Sequence, residues 1–161
     1  MFLIKAMLAQ KVPVENGAQN ALRCEKLPEA EALLKTMEQK YPQSAFFREA
    51  SYLTGLTLFS EGRFDAAIPH FEKARNEDWK DAVNLQATSK QAWALFHQNK
   101  LEETAQFTNQ LLEKIVIATD FTDEQKQAVR ALQAELRYLL GASLFEMKQD
   151  AKTDSALECL L

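Results

Sequence analysis

Histidine occurs only at His70 and His97, and cysteine only at Cys24 and Cys159. Acid–base or metal chemistry therefore has few parts to build on. The chain has no Cys-x-x-Cys or His-x-x-x-His spacing, no glycine-rich phosphate loop, no Gly-x-Ser-x-Gly and no His-Glu-x-x-His. No catalytic, cofactor-binding or metal site is expected, and the chain reads as a non-enzyme. His70 has no carboxylate partner in motif spacing, and His97 ends a predicted helix, where a cation suits the helix dipole. No apolar run approaches the roughly 18 residues of a membrane-spanning helix, so direct membrane insertion is not expected. The formal net charge is -4 with no basic stripe, which makes nucleic acid and anionic membranes poor partners. Acidic pairs such as Glu102 with Glu103 and Asp123 with Glu124 read as solvated faces or helix starts. Only 4 Gly and 4 Pro are present, which suits helices joined by few loops.

What is present is apolar periodicity. The 161 residues are enough for one domain with a real core, and 47% hydrophobic residues argue against disorder. The stretch 50–74, ASYLTGLTLFSEGRFDAAIPHFEKA, organises the rest. Tyr52, Leu53, Leu56 and Phe59 recur at helical spacing, which predicts a first helix over about 45–61. Gly55 lies among them. An interior glycine costs a helix about 1 kcal/mol against alanine, so a second helix is expected to approach closely there, opposite small Ala67. Gly62 ends the helix in a left-handed conformation. Phe64, Ala67, Ile68, Phe71 and Ala74 then predict a second helix over 64–75, irregular or kinked at Pro69.

Gly55, Gly62, Phe64, Ala67, Phe71 and Ala74 resemble the tetratricopeptide repeat, a helix–turn–helix unit of about 34 residues. Ser51 stands where that repeat has an early aromatic, and Trp79 where it has a closing proline. The resemblance implies an all-α right-handed solenoid of about four hairpins, one domain over 1–161. The units fall near 11–44, 48–81, 85–121 and 134–161, behind an N-terminal helix over 2–10 that packs on the first unit. In such an array Cys24 and Cys159 do not meet, and both read as unpaired thiols packed as small apolar residues. The apolar start MFLIKAMLAQK has no basic lead and no convincing cleavage site; the end of an excised fragment is the other reading.

In the first unit a short helix is expected over 14–25. In the second helix of that unit Leu27, Ala30, Leu34 and Met37 face inward, and Pro28 sits in the first turn. Pro42 stops that helix and Ser44 caps the next. In the third unit Ala92 takes the glycine position and Asn99-Lys100 the turn. Its second helix, over 101–119, carries Thr104 and Thr108 where alanine and phenylalanine are usual. There the apolar stripe Phe107, Leu111, Leu112 and Ile115 is expected to be rotated by one residue. Thr122 with Gln125 is a capping box that opens a long helix over 123–147. Tyr138, Leu139, Gly141, Leu144 and Phe145 repeat Tyr52, Leu53, Gly55, Leu58 and Phe59, which predicts a turn at 148–150 and a final helix over 150–161.

The junction Tyr41-Pro42-Gln43-Ser44 before Ala50-x-Tyr52-x-x-Gly55 resembles bacterial cell-envelope members of the superfamily, the outer-membrane assembly lipoproteins and the Tol-Pal coordinating factor. That resemblance implies a periplasmic or cell-envelope location in preference to the cytoplasm.

The repeat register implies a concave groove lined by Tyr52, Leu56, Phe59, Ser89, Trp93, Phe96, His97, Tyr138, Ala142 and Phe145, with Gln19 and Leu22 as the first-unit equivalents. Chaperone-type relatives hold a C-terminal carboxylate with lysine and asparagine where this chain has Tyr52 and Leu56, so chaperone tails are not expected. An aromatic and aliphatic lining suits an apolar or amphipathic-helical segment of a protein partner. The implied function is a non-catalytic protein–protein interaction scaffold or adaptor. The alternatives are a homo-oligomerising structural domain, an accessory domain of a longer cell-envelope protein, and a groove filled by the chain itself.

Overall fold

The computed structural model describes residues 2–9, 11–13, 22–42 and 44–158. It is built of helices α1 (Phe2–Leu8), α2 (Leu27–Lys40), α3 (Ala45–Ser60), α4 (Phe64–Ala74), α5 (Ala82–His97), α6 (Leu101–Lys114) and α7 (Asp123–Glu158). Two short strands, β1 (Lys11–Pro13) and β2 (Leu22–Cys24), pair antiparallel between α1 and α2. The helix expected over 14–25 is therefore corrected at its C-terminal part, where Leu22–Cys24 pairs with β1 and leaves no room for a helical ladder. Residues 14–21, Gln19 among them, lie outside the described residues, as does Cys159.

Local chemistry sets most helix ends. Ser44 caps α3 by accepting the Phe46 N–H at 3.2 Å. Gly62 turns the chain at φ 72° into α4. Asp81 caps α5 through the Val83 N–H at 2.8 Å. Asn99, at φ 58°, makes the turn into α6. The capping box at α7 forms in full: the Thr122 N–H donates to Gln125 Oε1 at 2.9 Å, and the Gln125 N–H to Thr122 Oγ1 at 3.2 Å.

Helix α4 runs through Pro69 as one element. Pro69 and Asp65 are both exposed, so the carbonyl that lost its donor faces water. Helix α6 ends at Lys114, earlier than expected. Its buried face is Leu101, Thr104, Ala105, Thr108 and Leu111, so the packing stripe is not rotated; Phe107 and Leu112 are half-buried. The threonines fit because each hydroxyl bonds back to its own helix, Thr104 to the Lys100 carbonyl and Thr108 to the Thr104 carbonyl, both at 2.8 Å.

The core has two parts. Ile4, Leu27, Leu34, Phe47, Leu58 and Phe71 centre the first, and Leu111, Ile115, Phe121, Leu132, Leu136 and Leu139 the second. Helix α5 serves both: Ala87 and Ala94 join the first, Leu85 and Ala92 the second. Each helix from α3 to α7 packs on the next, and α5 packs in addition on α3 and α7. Helix α1 lies on α2 and α3 as expected, with Ile4 buried and Lys5 paired to Glu49 at 2.5 Å. Two of the buried polar side chains on α5 are satisfied, while the Thr88 hydroxyl has no hydrogen-bond partner among the described residues. Asn84 accepts the Asn76 N–H and donates to the Asp78 carbonyl, each at 3.0 Å, and Gln91 bridges Arg75 and Glu72 at 2.8 and 3.1 Å.

The predicted fourth hairpin is not formed. Helix α7 continues without a turn through 148–150, because Lys148, Gln149 and Asp150 include no residue that takes a left-handed conformation easily and nothing there stops propagation.

Candidate functional site

A row of rings crosses α3, α4, α5 and α7. Tyr52 lies 6.2 Å from Phe71, and Phe59 lies 6.3 Å from Phe71 and 5.1 Å from Phe64, ring centre to ring centre. Phe64 stacks on His97 at 5.0 Å and 18°, and His97 stacks on Trp93 at 5.7 Å and 30°. Phe96 meets Trp93 edge-on at 6.2 Å, and Tyr138 reaches Trp93 from α7 at 6.0 Å. The row follows from sequence spacing on α5, where Lys90, Trp93 and His97 fall three and four residues apart and so share one face. Lys90 places its ammonium over the Phe59 ring at 5.5 Å.

Beside the row lies a cleft of about 450 Å³ between α3, α5 and α7, with Tyr52, Leu85, Ser89, Lys90, Leu132 and Glu135 on its walls. The Ser89 hydroxyl donates to Glu135 Oε2 at 2.5 Å and ties α5 to α7. Burial raises the Tyr52 phenol above its ordinary value, so it stays a neutral hydrogen-bonding group.

The structure thus brings together Tyr52, Phe59, Ser89, Trp93, Phe96, His97 and Tyr138. Leu56 is half-buried on α3, and Ala142 half-buried on α7. Phe145 stands apart: it is 63% exposed and stacks on no ring among the described residues. Leu22 lies on β2, not on a groove helix. Three contributors escaped the sequence reading. Phe64 reads from the sequence as a packing residue of α4, close to the turn glycine Gly62. Lys90 carried a signal, its spacing to Trp93. Glu135 carried none, because its role depends on where α7 lies.

Among the described residues no group of three or more His, Cys, Asp or Glu side chains is arranged to hold a metal ion. No helix among them is long and apolar enough to cross a membrane. The surface offers half-buried rings, with His97 and Tyr138 exposed, beside the Lys90 ammonium and the Glu135 carboxylate. No protein-family model, curated protein or solved structure matches the chain.

Proposed function

We propose that this chain is a tetratricopeptide-like repeat protein that binds an apolar or amphipathic-helical segment of another protein on its α3–α5–α7 face. The observation that carries this reading is the row of rings from Phe59 to Tyr138, which leaves Tyr138 63% exposed beside Trp93. Exposed contiguous aromatic surface beside a cleft is the composition of interaction hot spots. Three features support the repeat reading: the glycine turn between α3 and α4, the ring packed on Gly55, and the packing of α3 on α5. That last contact sets alternate helices side by side, as a superhelical stack of hairpins requires. Trp93 and Tyr52 are the anchors, and the Ser89–Glu135 pair fixes the far wall.

The test compares wild type with Trp93→Ala/Tyr52→Ala in affinity enrichment from native extract, read by mass spectrometry, with circular dichroism as the fold control. The expected result is a protein captured by wild type and lost from the folded double variant. Equal capture by both would overturn the assignment. Enrichment of this same chain alone would replace it with self-assembly.

A further inference from the structure

Helix α7 repeats the motif of α3 but buries only one of the two sides that α3 buries: Leu136 and Ser143 are buried like Ala50 and Thr57, while the glycine side is bare. In α3, Gly55 and Leu58 are buried beneath α4, with Phe71 seated on the glycine. In α7 the buried face is Val129, Leu132, Leu136, Leu139 and Ser143. At roughly 100° per residue, Ala134, Gly141, Phe145 and Lys148 project from the opposite side. Leu144, the counterpart of fully buried Leu58, is 52% exposed. An added Cβ at Gly141 meets nothing within 4 Å. A glycine inside a helix is unfavourable against alanine. Phe71 gives a packing reason for that cost at Gly55, whereas no contact among the described residues does so at Gly141.

The same face is electropositive. Arg130, Arg137 and Lys148 are exposed on it and have no ion-pair partner among the described residues, in a chain of net charge -4. No acidic residue lies on the stripe from Gln127 to Lys148; Glu135 and Glu146 fall on the flank toward the core. A second copy presenting this same face would oppose like charges.

We infer that the outward face of α7 around Gly141 is a second docking surface, built for a helix of another protein whose apolar stripe is flanked by acidic residues. A bulky side chain of that helix fills the Gly141 notch, as Phe71 fills that of Gly55, between Leu144 and Phe145. Its carboxylates face Arg130, Arg137 and Lys148. The surface adjoins the aromatic row at Tyr138, which shares the face of Gly141 and Phe145, but uses neither Trp93 nor Tyr52.

The test titrates the full chain, by fluorescence anisotropy, with two helix-stabilised peptides. Both repeat the Phe-x-x-Ala-x-x-x-Phe-x-x-Ala pattern of α4; one has glutamate at the flanking positions, its twin lysine. The glutamate peptide should bind about tenfold more tightly than its twin. Arg137→Glu/Lys148→Glu should reverse that preference. Gly141→Leu should abolish binding with no loss of thermal stability, and Trp93→Ala/Tyr52→Ala should leave binding unchanged. Equal affinities, no binding by folded wild type, or binding that survives Gly141→Leu would each overturn the proposal. So would dimers in sedimentation that Gly141→Leu dissolves, since a second copy would then be the occupant. Loss of binding in the Trp93/Tyr52 variant alone would move the peptide to the aromatic row and overturn this surface while keeping the other.

Discussion

The ring of Phe71 is seated on Gly55. A Cβ added at Gly55 would come within 2.9 Å of two ring carbons and 3.2 Å of His70 Cβ. Neither neighbour can withdraw easily, because Phe71 is fully buried and His70 is held in the same helix. The close approach expected at Gly55 is real, and the atoms nearest to it belong to Phe71 and His70.

Alanine should therefore act with opposite signs at the two matching glycines. Gly55→Ala is expected to destabilise by about 1–3 kcal/mol, overpacking outweighing the gain in helix propensity. Gly141→Ala, with open space around it, should stabilise by about 0.5–1 kcal/mol. Urea unfolding of the two variants measures both. A Gly55→Ala protein as stable as wild type would mean that the helices do not approach as described.

Asp81 joins three segments. Oδ1 caps α5 through Val83, and Oδ2 accepts from Arg48 of α3 at 2.5 Å and from Asn76 at 3.2 Å. Burial alone would raise its carboxyl, but the Arg48 guanidinium and the Val83 and Asn84 N–H groups hold it below the ordinary carboxylate value. A carboxyl lowered in the folded state stabilises above its unfolded value, near 4 on the usual scale, at about neutral pH in full. That contribution is lost as pH falls through the carboxylate range. Asp81→Ala should cost about 1–2 kcal/mol at neutral pH, and the gap to wild type should narrow in acid. A gap that stays constant down to about pH 3 would rule out the charged role.

His70 supplies a pH dependence of its own. Burial lowers its pKa, nearby Lys73 lowers it further and Glu38 opposes; its Nδ1 is buried without a hydrogen-bond partner. Above the ordinary histidine value of about 6.5, both folded and unfolded chains are neutral there and nothing changes. Below it the unfolded chain takes up a proton that the folded chain resists, so stability falls as pH drops. His70→Gln should flatten this part of the decline between about pH 7 and pH 5, seen as a smaller shift of the urea midpoint than in wild type. Identical shifts in both proteins would remove His70 from the account.

Which parts were readable follows from the range of the forces involved. The α3–α4 hairpin, the inward face Leu27, Ala30 and Leu34, and the start of α7 came from spacing and caps. On the candidate site, Tyr52, Phe59, Trp93 and His97 follow from the repeat register that the resemblance implies. The β1–β2 pair was missed because it involves three residues on each side, too few for an alternating pattern to show. Phe145 stands apart because, among the described residues, no helix covers the glycine side of its motif as α4 covers that of α3.

The sequence by itself determined where chains turn and helices begin: Ser44, Gly62, Asp81 and the Thr122–Gln125 box act on their own neighbours, so their effect is local. It also determined which residues share a helix face, since that is a matter of angle per residue. Only the tertiary structure decided which face turns inward. Tyr52-Leu53-x-Gly55 packs its glycine side beneath α4 and has Ala50 and Thr57 buried on the other side, while Tyr138-Leu139-x-Gly141 buries only the latter side, through Leu136 and Leu139, against the second core. The same residues at the same spacing present the same two faces. The neighbours that supply apolar burial decide whether one face or both are covered, and those neighbours lie elsewhere in the chain.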